Sequence, residues 1–130
     1  MKDYKKKKGV RYVRGYKLIK FINHPYNSQG YVPEHRLVAE QYLLNDNNCI
    51  VINGQKYLSP KFTVHHIDFN RLNNNPQNLM IIESNKHLTM HKNLYNKQYF
   101  LDYCKRFNLD TETVRKTRTD FKVGCYKQYI

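Results

Sequence analysis

The sequence is short of acids. Ten Asp and Glu stand against 23 Lys and Arg in 130 residues, a formal net charge of +13. It also lacks any apolar run near the ~20 residues that a membrane-spanning helix needs, so no membrane partner is expected. The opening MKDYKKKKGV has a basic run but no apolar stretch behind it, so no secretory signal is expected either. Cysteine is sparse: Cys49, Cys104 and Cys125 are odd in number and far apart, with no CxxC pair. That argues against a disulfide framework and against a thiolate zinc site, and points to a reducing, cytoplasmic setting. With 40% hydrophobic residues and 12 Tyr, the chain has the material for one domain with a modest core.

The excess charge is unevenly placed. Residues 1–20 carry nine Lys or Arg against one acid, residues 21–91 carry five against five, and residues 92–130 carry nine against four. Basic ends beside a neutral middle suit a polyanion, most simply nucleic acid.

Local patterns predict a mixed α+β chain. VRYVRGYKLIKFI alternates apolar and polar residues around Gly15, as a strand or hairpin with one basic face does. NHPYNSQG is a turn-rich loop. Pro33 opens a helix, PEHRLVAEQYLL, with Glu34 near its positive end and Leu37, Val38, Tyr42 and Leu44 as its buried stripe. CIVINGQKYL reads as a hairpin around Asn53-Gly54. FTVHHI and LMII read as strands separated by the polar loop DFNRLNNNPQN, and Ser84 as the N-cap of a helix beginning SNKHLTMHKNL.

Four of the six histidines fall in that strand–loop–strand–helix stretch, as the adjacent pair His65-His66 and the pair His87 and His91. Helix positions four apart lie on one face, so His87 and His91 can reach one metal ion. Adjacent strand residues point to opposite faces, so one of His65 and His66 can join that ion while the other does different work, such as general-base chemistry. Three imidazoles without a nearby thiol leave a coordination position open, as a catalytic site requires and a closed structural zinc site does not.

These residues resemble the HNH endonuclease family, the ββα-metal or His-Me finger nucleases. Val64-His65-His66-Ile67-Asp68, Asn74-Asn75-Pro76-Gln77-Asn78-Leu79 and His87-Leu88-Thr89-Met90-His91 are similar to its three blocks in order and spacing. Gly30-Tyr31-Val32-Pro33-Glu34-His35-Arg36-Leu37 resembles the lead-in of phage and intron-associated members, homing endonucleases among them. The resemblance implies a ββα-metal core over about 62–93 inside a nuclease domain at 10–93, preceded by a basic arm at 1–9 and an N-terminal β-hairpin and lead-in helix. It implies a phage-encoded phosphodiester hydrolase acting on double-stranded DNA and leaving 5′-phosphate and 3′-hydroxyl ends. It assigns His65, His87 and His91 to one divalent metal ion (Mg, Mn, Zn or Ni), His66 to the general base, and Asn78 to tying the loop together and helping to hold that base. Imidazole ligands favour the softer ions of that group, whereas phosphate oxygens favour magnesium. The alternative is a non-cleaving DNA-binding protein with a structural zinc on the same histidines. The CxxC pairs of many members are absent, which argues against a second zinc.

The expected nucleic-acid contacts are Arg11, Arg14, Arg36, Arg71, Lys92, Arg115, Lys116 and Arg118. The last three lie in a helical basic tail at 94–130 whose rhythm fits a helix-turn-helix. Tyr103, Phe107, Leu109 and Val114 would be its apolar contacts, Asn108 its turn, Asp110 or Thr111 its second cap. Thr113, Arg115, Lys116 and Arg118 would then face DNA. Two packing helices with a basic face is the plainer reading of the same pattern.

Overall fold

The computed structural model describes residues 9–124, with side chains as far as Arg118. All but the last residue of the basic arm at 1–9, and the end of the tail, lie outside the described residues.

β1 (Val10–Val13) and β2 (Tyr16–Lys20) form an antiparallel hairpin. Its two-residue turn puts Arg14 at φ 55° and Gly15 at φ 83°, the pair of positive values that matches the right-handed twist of the strands. β4 (Cys49–Ile52) and β5 (Gln55–Leu58) repeat the device with Asn53 at φ 51° and Gly54 at φ 78°. A short β3 (Tyr31–Pro33), which the pattern did not reveal, adds to β2 and completes a β1-β2-β3 sheet. Three residues running straight into a helix carry no readable alternation.

α1 (Glu34–Tyr42) follows at once, with Pro33 at its N-cap and Glu34 in its first turn. Its contact centres on Ala39, fully buried, whose small side chain allows close approach to Leu58, Val64 and Leu79. Tyr42, expected in the buried stripe, is instead 61% exposed: Val38, Leu43 and Leu44 pack against the cluster on either side of it in sequence, and Tyr42 takes no part.

β6 (Phe62–His66) and β7 (Leu79–Glu83) pair antiparallel, with His65 opposite Met80 and His66 opposite Leu79. Between them runs a long polar loop closed by a single 3-10 turn at Pro76–Asn78. α2 (Ser84–Asn93) begins directly on β7. Ser84 does not cap it; it is the first helical residue, and its hydroxyl and N–H both donate to the Lys61 carbonyl at 3.0 Å.

α3 (Lys97–Arg106) is capped by Asn96, which accepts from the Tyr99 N–H. α4 (Thr111–Gly124) is capped by Asp110, which accepts from the N–H and hydroxyl of Thr113. Asn108, at φ 56°, makes the turn between them. Phe69, Met90, Leu94, Phe100, Tyr103, Cys104 and Val114 form one buried cluster. The boundary drawn at residue 93 therefore falls inside a shared core: burying Leu94, Phe100 and Val114 contributes roughly 1.5–3 kcal/mol each, so α3 and α4 are part of the body of the protein.

Candidate functional site

The alternation of β6 sends its adjacent histidines apart, as expected. His65 turns toward α2 and α3. There His65 Nδ1 lies 3.2 Å from His87 Nε2, and His91 Nε2 lies 2.9 Å from the same His87 atom. The three residues offer nitrogens all within 4.8 Å of one another, a group that could hold a metal ion. Two tetrahedral bonds of about 2.0–2.1 Å would place ligand nitrogens about 3.3 Å apart, close to the spacing found.

Hydrogen bonds behind the rings fix which nitrogens face inward. The Tyr103 hydroxyl donates to the Ile67 carbonyl at 2.7 Å, so at 2.7 Å from His65 Nε2 it accepts. His65 is therefore protonated on Nε2 and presents a lone pair on Nδ1. The Thr63 hydroxyl lies 3.3 Å from the Ile82 carbonyl and 2.9 Å from His87 Nδ1; when it donates to the carbonyl it accepts from Nδ1, which leaves a lone pair on His87 Nε2. In that arrangement two lone pairs meet at 3.2 Å, whatever tautomer His91 adopts. A shared cation relieves that repulsion, and imidazoles oriented from behind by a hydroxyl or carbonyl are the usual form of a metal ligand. Burial, with the neighbouring imidazoles second, lowers the pKa of His65 to about 2 and of His91 to about 4, and burial also lowers that of His87. The rings are neutral at pH 7, the form that binds metal.

His66 faces the other way and takes no part in this group. Its Nε2 lies 2.7 Å from Asn74 Oδ1, and Asn74 Nδ2 donates to Glu34 Oε1 at 2.7 Å. A carboxylate only accepts, so the amide nitrogen must face Glu34 and the amide oxygen must face His66. His66 Nε2 therefore carries the proton, and Nδ1 is the basic nitrogen. Lys17 lies 3.3 Å from the other oxygen of Glu34 and steadies it. Burial lowers the His66 pKa, opposed by the Asn74 hydrogen bond. The ring of His35 lies 4.8 Å away and stacks on Tyr16 at 5.2 Å, backing His66 rather than joining the metal group. His24 is buried elsewhere, bonded to Glu40 and the Tyr26 N–H.

Asn78 ties the loop together. Its side chain donates to Asp68 and to the Asn73 carbonyl at 2.9 Å and accepts from the Asp68 N–H, while its carbonyl accepts from the Ile67 N–H. Its side-chain hydrogen bonds all stay within the loop, and the bond to the His66 ring comes from Asn74. Asn74 stands in a run of asparagines that all suit turns, so nothing in the sequence singled it out. Tyr103 and Thr63 were equally hidden, since hydroxyls behind a ligand leave no spacing signal.

The arginines separate. Arg36 was expected at a phosphate, but its guanidinium donates to the carbonyls of Phe62 (2.8 Å), Ser59 (3.3 Å) and Leu58 (3.4 Å), joining α1 to the β5–β6 connection. Arg118 was expected on the outward face of α4. It lies one turn beyond buried Val114, on the same face, and its guanidinium sits 5.2 Å from Phe69, 5.5 Å from Phe100 and 5.8 Å from Tyr95. Arg71 donates to the Arg14 carbonyl at 2.7 Å and lies 4.6 Å over Tyr16. Arg115 pairs with Glu112, and Lys92 and Lys116 are exposed.

His65, His66, His87, His91, Arg71 and Arg118 line one cavity of about 130 Å³, together with Tyr16, Val64, Phe69 and Tyr95. Among the described residues no carboxylate lines it. Phe69 has φ 66°, a conformation costly for a bulky side chain, held by packing in the core. Its ring meets those of His65 and His91 edge-on at 5.2 and 5.8 Å. No protein-family model, curated protein or solved structure matches the chain.

Proposed function

We propose that the chain is a metal-dependent DNA endonuclease of the ββα-metal type. The observation that carries this reading is the division of labour on β6: His65 joins two helix histidines at one point, while its neighbour His66 lines the same cavity with a fixed tautomer and no share in the metal group. A structural metal site has no use for the second arrangement. A divalent ion held by His65, His87 and His91 would supply Lewis acidity toward charge on a phosphate oxygen. His66 Nδ1 accepts the proton of the attacking water, its ring held by Asn74 and Glu34. Arg71 and Arg118 give the cavity two guanidinium walls for an anion. The three-imidazole set favours zinc, nickel or manganese over magnesium.

The test is cleavage of supercoiled plasmid with a panel of divalent metals. Wild type nicks or cuts, and His66→Ala loses about 10²–10⁴-fold in rate while binding metal normally. Cleavage by His66→Ala at the wild-type rate would remove the base assignment. DNA binding without cleavage under every metal would favour the non-cleaving binding protein.

A further inference from the structure

The β1-β2-β3 sheet carries charge that the cavity does not use. From Gly9 to Pro33 there are four Lys or Arg and no acid. The register sorts them. Arg11 is opposite Leu18, Val13 opposite Tyr16, and Lys20 opposite Tyr31, so these six side chains share one face of the sheet. Lys17, which pairs with Glu34, belongs to the other face.

The shared face has two ends. At the inner end Tyr16 lines the cavity and carries Arg71 over its ring. At the outer end Arg11 and Lys20 are both exposed, and the Arg11 guanidinium lies 4.4 Å over Tyr31. A ring beneath a guanidinium holds it flat and leaves its in-plane N–H donors free for an anion. It also covers the ring, so no base can stack there. The face fits phosphates and is indifferent to sequence.

We propose that this face is a track for the backbone of duplex DNA, leading one strand from Arg11 and Lys20 past Tyr16 to the histidine cavity. The four residue steps from Tyr16 to Lys20 span about 13 Å. Consecutive phosphates of one strand lie about 7 Å apart along the backbone, twice their axial rise of about 3.4 Å, so the track covers about two. It rests on the nuclease reading only for where the strand is delivered, not for the binding.

The test is fluorescence anisotropy of a random-sequence 30-bp duplex across a salt series, in EDTA so that nothing is cut. Each phosphate contact contributes about 0.9 to the slope of log K against log salt. Arg11→Gln with Lys20→Gln, which removes the charge but keeps a polar side chain at two exposed sites, lowers that slope by about 2. The same charge loss at Lys56 and Lys105, both exposed and off this face, leaves it unchanged. Equal slopes for wild type and the track variant overturn the proposal, and so does an equal fall in the control pair. A wild type that binds with the expected slope change but never cleaves with metal leaves the track standing and removes the nuclease. Cleavage with no slope change does the reverse.

Discussion

Replacing Tyr103 by Phe removes one oxygen from the core and tests the proposed metal site from a distance. The ring is 5% exposed and packs against Phe107 at 4.7 Å and Phe69 at 5.5 Å, contacts that phenylalanine keeps. Lost are the two 2.7 Å bonds of the hydroxyl, one to the Ile67 carbonyl and one from His65 Nε2. Stranding a buried polar group costs about 1–3 kcal/mol, so the apo protein loses about 2 kcal/mol in urea unfolding. His65 also loses the bond that fixes its tautomer, so its Nδ1 is no longer held ready. Removing such a support typically weakens metal binding 10–100-fold. The measurement is a competition titration with Zn²⁺ or Co²⁺ against a chromophoric chelator, and Thr63→Val repeats it through His87. A metal affinity within twofold of wild type in both variants would refute the tautomer argument, even if stability fell, because the hydroxyls would then serve the fold alone.

Asn74→Ala frees the His66 ring and lowers cleavage about 10–100-fold, part of what a positioned base contributes, with metal affinity unchanged; an unaltered rate means His66 needs no orienting partner. Arg36→Ala costs about 3 kcal/mol in urea unfolding by stranding carbonyls that a charged donor now satisfies; a loss under about 1 kcal/mol would show those bonds to be dispensable. Without metal the protein is acid-sensitive: burial holds His65, His35 and His91 at about 2, 3 and 4, below their ordinary 6.5. The unfolded chain therefore binds protons first. Stability present above pH 6.5 falls as the pH drops toward 4, by about 1.4 kcal/mol per pH unit per ring. Urea midpoints in EDTA that stay flat from pH 7 to 4 would contradict this.

What the sequence disclosed follows from the range of the forces involved. Arg14-Gly15 and Asn53-Gly54 announce hairpins because positive φ is a property of two adjacent residues. His87 and His91 announce a shared face because helical spacing is local. The opposed directions of His65 and His66 follow from strand alternation, and Asn108 from its tolerance of the left-handed region. Contacts made across long stretches of chain left no such mark. Arg36 and Arg118 are both basic residues on helices, and only packing separates one that holds backbone carbonyls from one that reaches the cavity. Asn74 differs from Asn73 and Asn75 only in what lies opposite it. Tyr103 read as an apolar contact in a tail, when its ring is in the core and its hydroxyl is on one histidine of the candidate metal group.

The bond between His65 and Tyr103 joins residues 38 apart in the chain. At 5–20 residues per second, a ribosome takes about 2–8 s to travel from one to the other. Until then a nascent chain holding β6, β7 and α2 has its three imidazoles but neither the hydroxyl that orients the first nor the helices that complete their shared core. The order of synthesis thus delays the completed three-histidine group until α3 and α4 have been made.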